Sequence, residues 1–319
     1  MPRLRHASHD GFSGGEVSAP VTPHISVCVP TYKRPGMLAQ CLDGLERQER
    51  RGFTYSIVVV DNDVRQSARS VVEDWAGRST IEVLYACEPE QNISRARNRA
   101  VANASGEYIA FIDDDEVPDP AWLANLHATC STFLLVDGVL GPVLPQFLGT
   151  PPAWLVKSGL CLRTSFPTGT PATDPKHMRT GNVLLSKALI EGLQTPFDPR
   201  LGRTGGEDSD FFERMVKAGR SFVWCDEARV YEDVPVERQT LKYHVKRAFV
   251  RGAVQSDKQA FLSYGTFKSA AAVILYCAVL PVLLATRYHL FAKYLVSCCD
   301  HLAKLLGYIG IRPGRERTF

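Results

Sequence analysis

From Tyr108 the chain reads Tyr-Ile-Ala-Phe-Ile and then, without a break, Asp113-Asp114-Asp115-Glu116-Val-Pro118. An apolar run of that length reads as a strand buried on both faces, the state of strands in a parallel sheet covered by helices. In open α/β sheets ligands sit beyond the carboxyl ends of such strands, which is where the acids fall. Three adjacent carboxylates repel one another and titrate as a coupled set. A divalent cation relieves that conflict. Hard oxygen donors suit Mg²⁺ or Mn²⁺, and Mg²⁺ takes one or two carboxylates and completes its shell from substrate phosphates. The spacing Asp113-x-Asp115 therefore fits a cation bridging to a diphosphate. The plainer reading is an acidic surface turn after a strand.

The segments on either side repeat the pattern of strand followed by polar turn. Ile25-Ser-Val-Cys-Val-Pro30-Thr31-Tyr32 reads as the first strand, followed at once by Lys33 and Arg34, with Pro35 suited to open a helix. Two cations at a strand-to-helix turn favour an anionic ligand, although neither a Walker loop nor a GxGxxG follows any strand. Tyr55 to Asp63 forms a second strand ending in acids, a helix covers 66–76, and Ile81 to Cys87 is a third strand. Asn92 caps a helix in which Ile93, Ala96 and Ala100 share one face and Arg95, Asn98 and Arg99 another. Arg95, Arg97 and Arg99 make either a cationic wall for phosphates or a solvated face. Strand–helix alternation over residues 25 to about 130 indicates a doubly wound α/β sheet. Gly138 to Phe147 reads as one further strand, 148–180 as a long loop, and Phe222 to Val234 as one or two strands. Gly205-Gly206-Glu207-Asp208 opens a helix in which Asp208, Phe211, Phe212 and Met215 share a face. Burial raises an inward carboxylate and a helix N-terminus lowers it, a balance that would leave Asp208 a general base near neutrality. A capping carboxylate is the alternative.

Five of these motifs, in order, resemble the family-2 inverting glycosyltransferases of the GT-A fold: Val29 to Pro35, Val-Val-Val-Asp61-Asn62, Asn92…Ala96-Arg97-Asn98, Gly106-Glu107-Tyr108…Asp113-Asp114-Asp115, and Gly206-Glu207-Asp208. The match covers about residues 25–255, and its closest flavour is bacterial exopolysaccharide enzymes of the succinoglycan type. The resemblance implies a nucleotide-sugar donor, expected as a UDP-hexose, and transfer to an acceptor hydroxyl. Pro30, Thr31, Tyr32, Arg34, Asp61, Arg95, Arg97, Asn98, Asp113 and Asp114 would face the donor. Asp113 and Asp115, the DxD acids, would hold Mg²⁺ or Mn²⁺. Asp208 would be the base, and Gly181, Asn182 and Glu207 would lie toward the acceptor. The chain reads Asp61-Asn62-Asp63 where members often carry Asp-Asp-Gly-Ser, and it has only Gln239-Thr-Leu-Lys242-Tyr243 for the processive Gln-x-x-Arg-Trp. That departure points to transfer of single sugars. The rival readings are a nucleotidyltransferase of similar layout and a non-catalytic scaffold that keeps the fold.

Residues 1–24, rich in Gly, Ser, Pro and His, read as a disordered lead, 25–260 as the glycosyltransferase domain, and 261–319 as an apolar helical segment. Ala270 to Ala285 is almost wholly apolar, short of the roughly 20 residues that span a bilayer, and Leu290 to Cys299 continues in kind. Helices lying in or on a membrane, a buried hairpin and a true span are all open; the first suits a lipid-linked acceptor. Nine scattered Cys without CxxC spacing and no apolar signal core imply a reducing compartment, hence the cytoplasmic side of the inner membrane. A net charge of +3 gives no case for nucleic acid.

Overall fold

A computed structural model describes residues 22–256 and 264–311. The expected lead is outside the described residues up to residue 21, as is the 260/261 boundary; His24 already belongs to the first strand.

Four valine- and isoleucine-rich segments form the parallel half of a central sheet: β1 (His24–Thr31), β2 (Thr54–Asp61), β3 (Val83–Cys87) and β4 (Tyr108–Ile112). Pro30 lies within β1 opposite Val60 rather than ending it; pairing to β4 has already stopped at Cys28, so the missing N–H falls where only one neighbour remains. The links are α1 (Pro35–Glu46), α2 (Arg69–Ala76) and α3 (Ile93–Asn103). The predicted strand Gly138 to Phe147 is broken at Gly141-Pro142. It gives β6 (Gly138–Leu140) in the main sheet and β7 (Val143–Phe147) in a second one, which also holds β5 (Glu116–Pro118). Gly141 permits the break, because a Cβ there would meet the Ala228 carbonyl oxygen at 2.2 Å.

After β5 comes α4 (Trp122–Thr132), and in the long loop a short α5 (Ala153–Ser158). Then follow β8 (Asn182–Ser186), α6 (Lys187–Ile190), α7 (Glu207–Lys217), β9 (Phe222–Trp224) and β10 (Val230–Val234). The main sheet runs β3-β2-β1-β4-β8-β6-β9 with β8 antiparallel to both neighbours; the small sheet runs β5-β10-β7. Apolar layers cover both faces of the main sheet. Leu38, Leu42, Trp75, Trp122 and Leu126 lie in one, and Ala96, Ala100, Phe211, Phe212 and Met215 in the other.

The chain closes with α8 (Leu241–Ser256), α9 (Tyr264–Thr286) and α10 (Tyr288–Tyr308). α10 packs on α8 through Ala248, Val296 and Cys299. α9 differs from both: it has 23 residues and only 6% of its most apolar stretch is buried. At about 1.5 Å per residue it is long enough to cross a hydrocarbon layer of about 30 Å.

Candidate active site

The carboxyl ends of β1 and β4, the loop before β8 and the first turns of α3 and α7 meet over a cleft of about 500 Å³. α7 enters it through Gly205 and Gly206, at φ 83° and 97°, a left-handed pair that glycine adopts without a Cβ penalty. Glu207, Asp208 and Asp210 fill its first turn, where the positive end of the helix dipole favours acids. The β1–α1 turn holds Lys33 at φ 54°, left-handed backbone on a non-glycine residue of the kind found at ligand-binding turns.

One guanidinium ties the site together. Arg97, 4% exposed, donates from Nη1 to Glu207 Oε1 at 2.8 Å and Asp208 Oδ1 at 2.7 Å, and from Nη2 to Asp113 Oδ1 at 3.2 Å. The end of β4 and the start of α7, far apart in sequence, therefore face one space. Asp208 also accepts from the Thr180 hydroxyl at 2.9 Å. Burial acts to raise its carboxyl, but Arg97, Thr180 and Arg179 outweigh burial and hold it below the ordinary carboxylate range. This corrects the expectation of a near-neutral group: the inward face that desolvates Asp208 also delivers it to two arginines. It is ionised at neutral pH, and its side chain stays partly open to the cleft.

The acid cluster is strained in the opposite sense. Asp114 accepts from the Thr31 hydroxyl at 2.7 Å, and Arg34 stands 3.0 Å from Asp115. Burial, then the Asp115 charge, pushes the Asp114 carboxyl up to about 7. Burial raises Asp113 and Glu116 too, Asp115 and Asp113 respectively adding to the effect. The Glu116 Oε1 atom is buried without a hydrogen bond, with Arg163 3.7 Å away. Gly181 lies against these acids; a Cβ there would meet Glu116 Oε1 at 2.8 Å and Asp113 Oδ2 at 3.0 Å. Repelling, desolvated oxygens beside a glycine-made gap fit a hard divalent cation. Among the described residues no three His, Cys, Asp or Glu groups form a closed cation cage. Asp113 and Asp115 would therefore supply two ligands, and the substrate and water the rest.

Most of the expected residues line the cleft: Pro30, Thr31, Tyr32, Arg34, Arg97, the three aspartates, Gly181, Glu207 and Asp208. Four are placed differently. Asp61 is fully buried and accepts from the Asp63 and Ala68 backbone N–H groups and the Tyr85 hydroxyl, which fixes the turn into α2. Arg95, opposite in heading to Arg97 on α3, pairs with Glu90 at the surface. Asn98 exchanges hydrogen bonds with the Phe197 backbone. Asn182 is consumed by Trp122 and the carbonyls of Pro142 and Ala228, so it locks β8 in place. Arg163, Arg179, Arg238 and Arg247 line the cleft although sequence reasoning gave them no part. Arg179 stands beside the Thr180-Gly181-Asn182 segment and was reachable by adjacency; the others carry no local signal.

A mostly parallel sheet with paired acids and arginines at its strand ends, over a cleft of this size, is the layout of the GT-A fold. The chain belongs to glycosyltransferase family 2. The sequence profile of that family, Glycosyl transferase family 2, matches residues 26–133. The succinoglycan biosynthesis protein ExoM of Rhizobium meliloti (strain 1021) is 35% identical over 303 residues, covering 90% of this chain and 94% of that protein. Among solved structures, the mannosyltransferase PcManGT of Pyrobaculum calidifontis, in complex with GDP-Man and Mn²⁺, aligns with TM-score 0.60 at 17% identity over 91% of this chain and 88% of that one. TarS of S. aureus in complex with UDP aligns with TM-score 0.52 at 16% identity, covering 90% and 92%. At those identities the likeness speaks for the fold alone.

Proposed function

We propose that this glycosyltransferase moves one sugar, with inversion, from a nucleoside-diphosphate sugar to a hydroxyl of a lipid-linked oligosaccharide, in the synthesis of an exopolysaccharide or other cell-surface glycan. The observation that carries the reading is Arg97, hydrogen-bonded to Asp113 on one wall and Asp208 on the other. Donor diphosphate then lies toward the acids and acceptor hydroxyl toward α7. Pro30, Thr31, Tyr32 and Arg34 form the nucleotide side of the cleft. Asp208 takes the proton of the attacking hydroxyl. Arg97 holds that carboxylate ionised and in place. Arg34 is near enough to the acids to pass to the departing diphosphate. A divalent cation on Asp113 and Asp115 supplies Lewis-acid stabilisation of the negative charge on that leaving group. Related structures support a nucleotide donor and a cation, since one neighbour is in complex with GDP-Man and Mn²⁺ and another with UDP. The relative named for succinoglycan biosynthesis supports the glycan setting. The bare apolar helix α9 supports attachment to a membrane, and the cytoplasmic face of the inner membrane is the proposed side, in keeping with nine free cysteines.

The test is a screen of nucleotide sugars, reading nucleoside diphosphate release with a membrane lipid extract as acceptor. Release should need one sugar nucleotide, the extract and a divalent cation. Pyrophosphate released from a nucleoside triphosphate would instead make the chain a nucleotidyltransferase. Recovery of the full chain in the soluble fraction without detergent would remove the membrane part of the proposal.

A further inference from the structure

Beyond the acids the cleft opens into a second cavity of about 190 Å³. Arg163, Arg238, Arg247 and Arg251 line it, against one lining carboxylate, Glu232. Arg163 and Arg238 both reach Glu232, the latter at 3.4 Å, and Arg251 pairs with Asp300 at 2.8 Å. With Glu116, 3.7 Å from Arg163, four guanidiniums thus face three acids. Arg247 is the one whose partner is not a carboxylate among the described residues: it donates to the Tyr243 hydroxyl at 3.2 Å and lies over that ring. His244, buried beside it, is lowered by burial first and then by the charges of Arg247 and Arg251, a local sign of positive potential. Guanidinium forks fit the oxygens of carboxylates and phosphates, and several forks with spare charge suit the more highly charged phosphate.

The cavity's position narrows the occupant. Arg163, Glu232, Arg238 and Arg247 border both cavities, so the two communicate. Glu232 pairs in register with Glu116 across the small sheet, and Arg163 bridges the two. An anion held here therefore sits next to the acid cluster, in a space that opens onto the cleft. Arg247 and Arg251 belong to α8, which is clasped by α10; Trp154 stacks edge-on against both His244 of α8 and Tyr288 of α10. α10 packs on α9, whose apolar sides are bare, with Ile274 73% and Val282 62% exposed. A cationic seat and a largely exposed apolar helix share one support. We infer that the arginine cavity is the seat for the phosphate or diphosphate headgroup of a lipid carrier that brings the acceptor, the prenyl chain leaving toward α9 and α10. The inference rests on the lipid-linked acceptor proposed above and assigns it residues.

The full chain in detergent is titrated with farnesyl diphosphate, farnesol and inorganic pyrophosphate, each with and without saturating UDP and Mg²⁺. Farnesyl diphosphate should bind in both conditions and more tightly than either control. Arg247→Ala and Arg251→Gln should each weaken it about tenfold, the cost of a lost charge-assisted contact. Arg247 is exposed and has no carboxylate partner among the described residues, so its substitution should leave the fold intact. Farnesol binding equally well, pyrophosphate binding equally well, displacement by UDP, or full affinity in both variants would each overturn the inference. Retained farnesyl diphosphate binding with no UDP binding would leave it standing and remove the donor reading.

Discussion

The two ends of the cleft use arginine in opposite ways. At the donor end the two guanidiniums at the acids are matched: Arg97 meets three carboxylates and Arg34 two. At the far end four guanidiniums share three acids, Glu116, Glu232 and Asp300, on helix and loop. The first end is neutralised internally, and its buried acids gain from a cation; the second keeps positive charge unspent. A buried charge is tolerated when paired and a half-exposed one when solvated. The contrast therefore separates a place that exchanges counter-ions from one that awaits an anion.

The largest test of the donor end is Asp208→Asn. Removing a positioned base lowers turnover about 10²–10⁴-fold, while nucleotide-sugar affinity changes little, since Asn retains an acceptor oxygen for Arg97. Steady-state kinetics with the identified acceptor checks this; unchanged turnover would put the base elsewhere. Arg247→Ala should show the converse, a higher KM for acceptor at nearly constant kcat.

The acids make the next prediction. A carboxyl raised in the fold above its unfolded value stabilises the fold while protonated. That contribution is complete below the ordinary carboxylate range and is lost as pH rises through about 7 for Asp114. Metal-free protein should therefore lose stability between pH 5 and about 8, and Mn²⁺ should raise Tm more at the upper end. Melting curves with equal gains at both ends would count against the acids as a cation site.

This asymmetry also decided what could be read from the sequence. The doubly wound sheet and the residues from Pro30 to Arg34 and Asp113 to Asp115 were legible because strand ends put consecutive residues into one place. Arg97 and Asp208 were legible by motif, but their hydrogen bond was not, since nothing local says that α3 and α7 meet. Reading charge alone misled at Arg95, two residues from Arg97 on the opposite side of the helix and turned to Glu90, and at Asp61 and Asn182, whose polar side chains satisfy buried backbone groups. The Gly138 to Phe147 segment hid its break because Gly141-Pro142 interrupts a run that is apolar throughout. The second cavity was invisible: Arg163, Arg238, Arg247 and Arg251 come from a loop, a 3₁₀ turn and α8, and only the tertiary fold collects them.

Gly181→Ala gives a smaller effect, confined to the donor end. The new methyl would press on Glu116 and Asp113, both fixed by neighbours. Overpacking of that kind costs about 1–3 kcal/mol, readable by chemical denaturation, and cation affinity should fall with it. Stability equal to the parent would mean that the acids have room to move.

Thr180→Val probes the finest feature, the depressed carboxyl of Asp208. Its lowered value means that the base is lost only as pH falls through a point below the ordinary carboxylate range. The acid limb of kcat/KM should therefore lie below that range in the parent. Valine keeps the shape of Thr180, itself 1% exposed, and removes the hydroxyl that donates at 2.9 Å. Without that donor the carboxylate is less favoured, so its pKa rises and the acid limb moves up. A net hydrogen bond of about 0.5–1.5 kcal/mol corresponds to about half to one pH unit. At neutral pH turnover should barely change, because Arg97 and Arg179 still keep Asp208 ionised. A pH profile that does not move would mean that the group titrating in kcat/KM is not the one Thr180 touches, and the proton would have to leave by another acid in the cleft.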